Sequence, residues 1–227
     1  MSNKSLKERR IMSYFIEAII DLMDKEDVES ITIRKIADAA GYNSATLYNY
    51  FDNLDHLIVY ASVSRLKEYI RDLPNYMSQA DNAFEEYLAI WECFSKHAFQ
   101  LPDFYYRVFF GKLSSSTPEV IRRYYDIFPE ELEGLSLPLI GMLTEGNIFQ
   151  RNRKLLEKCA AEDMLETACI DEINELSIFF FKGLLSELVE KKPDWKPDRQ
   201  AEKAMYYMRK IFLSCGSGQC EIVSTDQ

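Results

Sequence analysis

The stretch Ile31-Thr32-Ile33-Arg34-Lys35-Ile36-Ala37-Asp38-Ala39-Ala40-Gly41-Tyr42-Asn43-Ser44-Ala45-Thr46-Leu47-Tyr48-Asn49-Tyr50-Phe51 holds two short helical patterns separated by a glycine. Thr32 is an N-cap residue ahead of Ile33, Ile36 and Ala37, and Asn43 is another ahead of Leu47, Tyr48 and Phe51. Gly41 can turn the chain between them. Two short helices joined in this way form a helix-turn-helix, in which the first helix braces across a nucleic-acid backbone and the second enters the major groove. Ile36, Ala37, Ala40, Leu47 and Phe51 can lock the pair at a fixed angle. Ser44, Ala45, Thr46, Tyr48, Asn49 and Tyr50 then supply the outer face. The second helix is too short to stand alone and needs that lock.

Working outward, Ser5-Leu6-Lys7-Glu8 has a capping-box pattern, and Ile11, Phe15, Ala18, Ile19, Leu22 and Met23 recur at helical spacing. This predicts a helix from about Leu6 to about Lys25. On the other side, Asp52 and Asn53 open a long helix through Leu57, Ile58, Ala61, Leu66 and Ile70 that is expected to stop before Pro74. Further helices are predicted over about Asn82–Phe99, Asp103–Leu113, Pro118–Ile127, Pro129–Thr144, Ile148–Met164, Asp171–Lys191 and Pro197–Cys215. A turn at Lys192–Pro197 separates the last two, and Gly216–Gln227 reads as a flexible tail. No alternating segment bounded by hairpin turns stands out, so the expected class is all-α.

Composition narrows the function. The 227 residues are 47% apolar and 28% charged with 8 Gly and 7 Pro, which excludes disordered and collagen-like chains. The longest apolar run, Ile178–Phe181, is far short of a bilayer span of roughly 20 residues, so no membrane partner is expected. Glu17 and Asp21 interrupt the apolar stretch behind the basic amino terminus, so a secretory signal is not expected and a cytoplasmic location is. Five cysteines without CxxC spacing read as reduced thiols. A net charge of −10 argues against coating nucleic acid by bulk electrostatics, so any DNA contact has to be local.

The runs Ile31–Ala37, Ala40-Gly41-Tyr42 and Thr46–Phe51 resemble the amino-terminal domain of the tetracycline-repressor (TetR) family of bacterial regulators. The resemblance covers roughly the first fifty-six residues. It implies a helix-turn-helix domain over 1–56, an effector-binding and dimerisation domain over 57–215, and a tail over 216–227. It further implies a homodimer that binds double-stranded palindromic operator DNA, represses by occlusion, and is released by a small molecule, with no cofactor and no catalysis. Carried over by position, Thr32, Arg34, Asn43, Tyr48 and Tyr50 are expected at phosphates, and Ser44, Ala45 and Asn49 at base edges, with Thr46 on the same face. The chemistry agrees, because hydroxyls, amides and helix N-termini are phosphate partners and Asn pairs adenine bidentately.

Three features depart from the family's pattern. Asp27 stands where Gly is usual before the bracing helix, and Leu54 where Lys is common at the start of the fourth helix. The segment 1–56 carries seven basic and ten acidic residues. His56 or the fourth-helix amides are the expected substitutes for the absent Lys, and Lys4, Lys7, Arg9 and Arg10 can reach along an operator backbone. An adaptor acting through protein partners is the alternative that these departures keep open.

Of 30 aromatic residues, 24 follow residue 56, enough for a large apolar pocket. Trp91, Phe94, Tyr106, Phe109, Phe110, Tyr125 and Phe128, together with Tyr105, are expected in the walls of a cavity for a mostly apolar effector, with Arg107 as anchor for one anionic group. On a helical wheel, the apolar residues of 171–191 span roughly 200°, twice a surface helix's stripe. Ile173, Phe180, Leu184 and Leu188, with Met208 and Ile211 from the final helix, are therefore expected at a two-fold dimer interface. The remaining alternative is a helical metal-dependent enzyme, whose best constellation is Cys93 and His97 on one helical face with Glu92 nearby.

Overall fold

The computed structural model describes residues 3–111, 117–145, 147–190 and 196–215, and among these the regular structure is entirely helical. The expected turn at 192–195 and the tail at 216–227 lie outside the described residues. The helices are α1 (Asn3–Met23), α2 (Ile33–Ala40), α3 (Ser44–Leu47), α4 (Leu54–Arg65), α5 (Lys67–Met77), α6 (Ala83–Gln100), α7 (Pro102–Phe109), α8 (Thr117–Ile127), α9 (Leu137–Leu143), α10 (Ile148–Ala161), α11 (Ile170–Val189) and α12 (Pro197–Cys215). Helices α1 to α3 form a small head in which α1 packs on α2 and α4, and α4 continues into the larger body against α8. In the body, α6 is central, with α5, α10 and α12 packed around it and α11 bridging α7, α10 and α12.

Local signals set several boundaries. The Lys35 N–H donates to Thr32 Oγ1 at 3.3 Å, which starts α2. Gly41 closes α2 in the left-handed conformation at φ 75°, where a side chain would strain the backbone. Asn53 and Asn82 cap α4 and α6 by accepting from the N–H groups of His56 and Glu85.

Four expectations are corrected. Helix α1 begins at Asn3, so the capping-box pattern at Ser5–Glu8 lies inside it; Lys7 to Arg10 are straight-chain residues that carry a helix well. The long helix after Asn53 breaks at Leu66, which is buried, and Pro74 falls inside α5. The break lets α4 follow the head and α8 while α5 turns onto α6. Pro74 is tolerated on an exposed face near the end of α5, where the lost N–H bond matters least. The single helix expected over 129–144 is instead a 3₁₀ turn at Pro129–Leu132, a left-handed Gly134 and α9. Here a tertiary bond overrides local propensity, because the Glu131 carboxylate accepts from Tyr124 Oη at 3.0 Å and pairs with Lys67 at 3.4 Å. The recognition helix α3 is a single α-turn, and Tyr48 to Tyr50 continue as tightened turns held by Tyr50 N–H to the Leu47 carbonyl at 3.0 Å.

Candidate nucleic-acid interface and ligand cavity

The head presents a polar end supported from below by apolar anchors. Ile36, Ala37, Leu47 and Phe51 are buried, and Phe51 meets Phe15 and Tyr60 edge-on at 6.2 and 5.3 Å. Above them, Thr32, Arg34, Asn43, Ala45, Tyr48 and Asn49 are exposed, while Ser44, Thr46 and Tyr50 are half-buried. Tyr48 stands 56% exposed, a large aromatic ring with more than half its surface open to solvent. The Asn43 amide oxygen accepts from the Thr46 N–H at 2.8 Å and from the Thr46 hydroxyl at 3.0 Å. Both side chains therefore set the start of α3 as well as facing outward.

The head's cations are unequally available. Lys35 is bound to Glu26 at 2.6 Å and to the Ser30 carbonyl at 3.1 Å, and this bond from Lys35 leads the causes that lower the Glu26 pKa. Arg9, expected along a DNA backbone, instead pairs with Glu130 and lies 5.4 Å from the Phe128 ring, tying the head to the body. Arg34 is highly exposed, with a long 3.9 Å contact to Asp38. His56, the expected substitute for the absent Lys, is engaged within the head: its Nδ1 accepts from the Asp52 N–H at 3.1 Å, and burial lowers its pKa. It serves the turn that follows α3.

In the body, a small cavity of about 30 Å³ lies between α5, α6, α7, α9 and α10. Of the expected wall residues, Trp91, Phe94 and Phe109 line it. Tyr125 and Phe128 are buried in the packing around α8, with Phe128 against Tyr124 at 4.8 Å, and Tyr106 and Phe110 are half-buried as neighbours at 6.0 Å. None of these four lines the cavity. Arg107, the expected anchor, is exposed and faces Glu29 of the head at 3.5 Å. Arg107 is two places from Phe109, the residue of α7 that lines the cavity, and so lies about 160° round the helix from it.

The cation that does line the cavity is Arg151, beside Asn152. Arg151 is 6% exposed, and burial pushes its pKa down from the ordinary guanidinium value. The Asn152 amide oxygen accepts from Trp91 Nε1 at 2.8 Å, and its nitrogen donates to Asn174 at 3.0 Å. Sequence reasoning passed over both residues, although a signal existed. They interrupt the apolar stripe Ile148, Leu155, Leu156 and Cys159 of α10 at the spacing where another apolar side chain is due.

At the far side of the body, Ile173 and Met208 are fully covered by the chain itself, and Leu184 and Leu188 nearly so. These four expected interface residues are covered within the single subunit, where α7 and α10 pack on α11 and α6 packs on α12. Phe180 and Ile211 remain half-buried. Beside them, Leu176 (44%), Phe179 (58%), Tyr206 (55%) and Leu213 (53%) form an exposed apolar face on α11 and α12. The alternative Cys93–His97 site is not assembled. The Cys93 thiol is buried with its pKa raised to about 12, His97 faces Asp72 at 3.1 Å, and Glu92 pairs with Lys96 at 2.8 Å. Among the described residues, no group of three or more His, Cys, Asp or Glu is arranged to hold a metal, and no helix is long and apolar enough to cross a membrane.

Residues 15–61 match a family model described as bacterial regulatory proteins of the TetR family. A search of curated protein sequences returns no match. Among solved structures, the fold resembles Thermus thermophilus FadR, a TetR-family transcriptional repressor in complex with lauroyl-CoA, with a TM-score of 0.57, 12% identity, and 95% of this chain and 100% of that one covered. The fatty acid degradation regulator FadR from Bacillus halodurans gives a TM-score of 0.53 at 14% identity, covering 87% of this chain and 93% of its own. The transcriptional regulator FadR from Bacillus subtilis, in complex with stearoyl-CoA, gives 0.51 at 12% identity, covering 86% and 96%. Helix-turn-helix geometry and the matched sequence agree that residues 15–61 form an amino-terminal domain of the TetR type, and the chain as a whole shares the all-helical fold of these structures.

Proposed function

We propose that the protein is a ligand-responsive repressor. Two copies, joined through the apolar face of α11 and α12, bind a palindromic operator with the paired heads, and a small, mostly apolar molecule in the body cavity releases them. The observation that carries this reading is the position of α7. Phe109 of this short helix lines the cavity, while Arg107, two residues away, faces Glu29 of the head. A ligand that moves Phe109 therefore acts on an element in contact with the reading head. It shifts operator affinity only to the extent that it binds the two arrangements unequally, with a coupling of about 1 to 3 kcal/mol in typical allosteric proteins.

In the head, Tyr48, Arg34 and Thr32 are assigned to phosphates and Asn49, Ala45 and Ser44 to base edges, with Asn43 and Thr46 acting through the start of α3 and Tyr50 alongside them. The relatives crystallised with lauroyl-CoA and stearoyl-CoA support an effector with an apolar body. The cavity's volume of about 30 Å³ is well below the roughly 300 to 1,000 Å³ of ligand sites, so a ligand enters only as the surrounding side chains move apart, which favours a compact molecule.

Selection from a random-sequence DNA pool with the full chain tests the reading. A two-fold motif with half-sites about one helical turn, roughly 34 to 36 Å, apart or a multiple of it is the expected product. Failure to enrich any two-fold motif would refute operator binding and return the acidic head to the adaptor alternative.

A further inference from the structure

Arg151 sits one turn into α10, and its guanidinium carbon lies 5.4 Å from the centre of the Phe109 ring. Its Nε donates to the Glu145 carbonyl, and a terminal nitrogen donates to the Leu143 carbonyl at 2.6 Å. These acceptors belong to the end of α9 and the residues just past it, where helical carbonyls lack partners of their own. They explain how the side chain is held. They do not explain its charge, because a carbonyl contributes a dipole and a ring face only a quadrupole.

A guanidinium is not deprotonated in proteins, and a buried charge is costly unless it is paired. Among the described residues, Arg151 forms no ion pair. Burial lowers its pKa, opposed by the phenols of Tyr69 and Tyr125 and then by Glu145, and that carboxylate is itself paired with Lys154 at 2.6 Å. Asn152, a second polar wall residue, is already engaged by Trp91 and Asn174. The cavity thus combines the apolar surfaces of Tyr69, Trp91, Phe94 and Phe109 with a single unbalanced positive charge.

Resting on the cavity reading above, we propose that the ligand is a compact apolar monocarboxylate. Its carboxylate pairs with the planar fork of Arg151 while its hydrocarbon or arene body lies among the rings. A monoanion balances the site, whereas a phosphate dianion would leave excess negative charge in an apolar wall. Arg107 has no part in the recognition, since it faces Glu29 outside the cavity.

Calorimetry of the full chain in the absence of DNA, at neutral pH, tests this with acid and amide pairs of the same shape: benzoate and benzamide, phenylacetate and phenylacetamide, octanoate and octanamide. Inorganic phosphate serves as a further probe. At least one acid is expected to bind roughly tenfold to a hundredfold tighter than its amide, the range for a hydrogen bond to a charged group. Arg151→Gln should abolish that preference and Arg107→Gln should retain it. Because Arg151 also holds carbonyls next to α9, Arg151→Lys is the second variant, and it should keep the preference for the acid even where Arg151→Gln does not fold. Equal binding of acid and amide, no binding of any pair, tighter binding of phosphate, or a preference that survives Arg151→Gln would each overturn the assignment. Operator affinity is read separately. A preference for the acid with no effect on DNA binding would refute the switch while leaving this assignment standing.

Discussion

Replacing Phe179 by Ala removes the most exposed aromatic side chain of the apolar face on α11 and α12, and the consequence for assembly can be sized from its exposure. Phe179 is 58% exposed in the single chain, with its covered part against Phe149 at 6.0 Å. An aromatic residue buries about 150 to 250 Å². Covering the exposed share in a dimer therefore removes roughly 90 to 145 Å² from water, or about 2 to 4 kcal/mol per copy at ~25 cal/mol per Å². A two-fold axis applies the substitution twice, giving an upper bound of about 4 to 7 kcal/mol. Area converts incompletely to affinity, and Ala retains some contact, so roughly half, about 2 to 4 kcal/mol, is the expected loss. That raises the dimer dissociation constant about thirtyfold to seven-hundredfold. Sedimentation velocity across a concentration series reads this directly. Stability of the isolated subunit should change little, because Phe179 lies outside the core that contains Phe181. Leu137→Ala, at an 84% exposed residue of α9, is the control and should leave assembly unchanged. A wild-type chain that stays monomeric at micromolar concentration, or an unchanged dissociation constant for Phe179→Ala, would refute the assignment of this face.

Two further outcomes are expected. Asn49→Ala should relax discrimination at one base position by about 1 to 3 kcal/mol, whereas Tyr48→Phe should weaken all sequences alike, and competition binding against single-base operator variants separates the two. Acidification should weaken the head through His56, whose pKa in the folded chain lies below its ordinary value of 6.5. Burial dominates that shift, with Asp52 and Glu119 opposing it and Arg123 adding to it. The unfolded chain takes up the proton first, so this contribution is fully present above about pH 6.5 and declines as the pH falls toward the folded pKa. Denaturant titrations at pH 7.5 and 5.5 check this as a difference between wild type and His56→Gln; equal losses in both would show that His56 is not the group responsible.

How much of this was legible in the sequence depends on the range of the interaction involved. Thr32, Gly41, Asn43 and Asn53 act on backbone within a few residues of themselves, and their caps and turn stand where the pattern put them. The all-helical class and the helix-turn-helix follow from such local signals together with apolar spacing. Spacing also marked α11 as apolar around an unusually wide arc, yet it could not apportion that arc. Only the packing of α6, α7 and α10 decided that Ile173 and Leu184 turn inward while Leu176 and Phe179 face out.

The cavity was the least legible part, because its wall is drawn from five helices that meet only in three dimensions. Composition promised an aromatic pocket, and Trp91, Phe94 and Phe109 are in it. The charge within it was misplaced. Arg107 lies among aromatic residues in the sequence but on the outer side of a short helix, while Arg151 lies in a polar-looking stretch whose neighbours across space are rings. Likewise Glu131, in an otherwise helix-favouring run, is drawn to Tyr124 and Lys67 and helps to break the helix expected there. Local chemistry determined which segments coil and where they start. Which side of each helix meets a neighbour, and therefore which polar residue is buried, is a property of the assembled packing that no single segment contains.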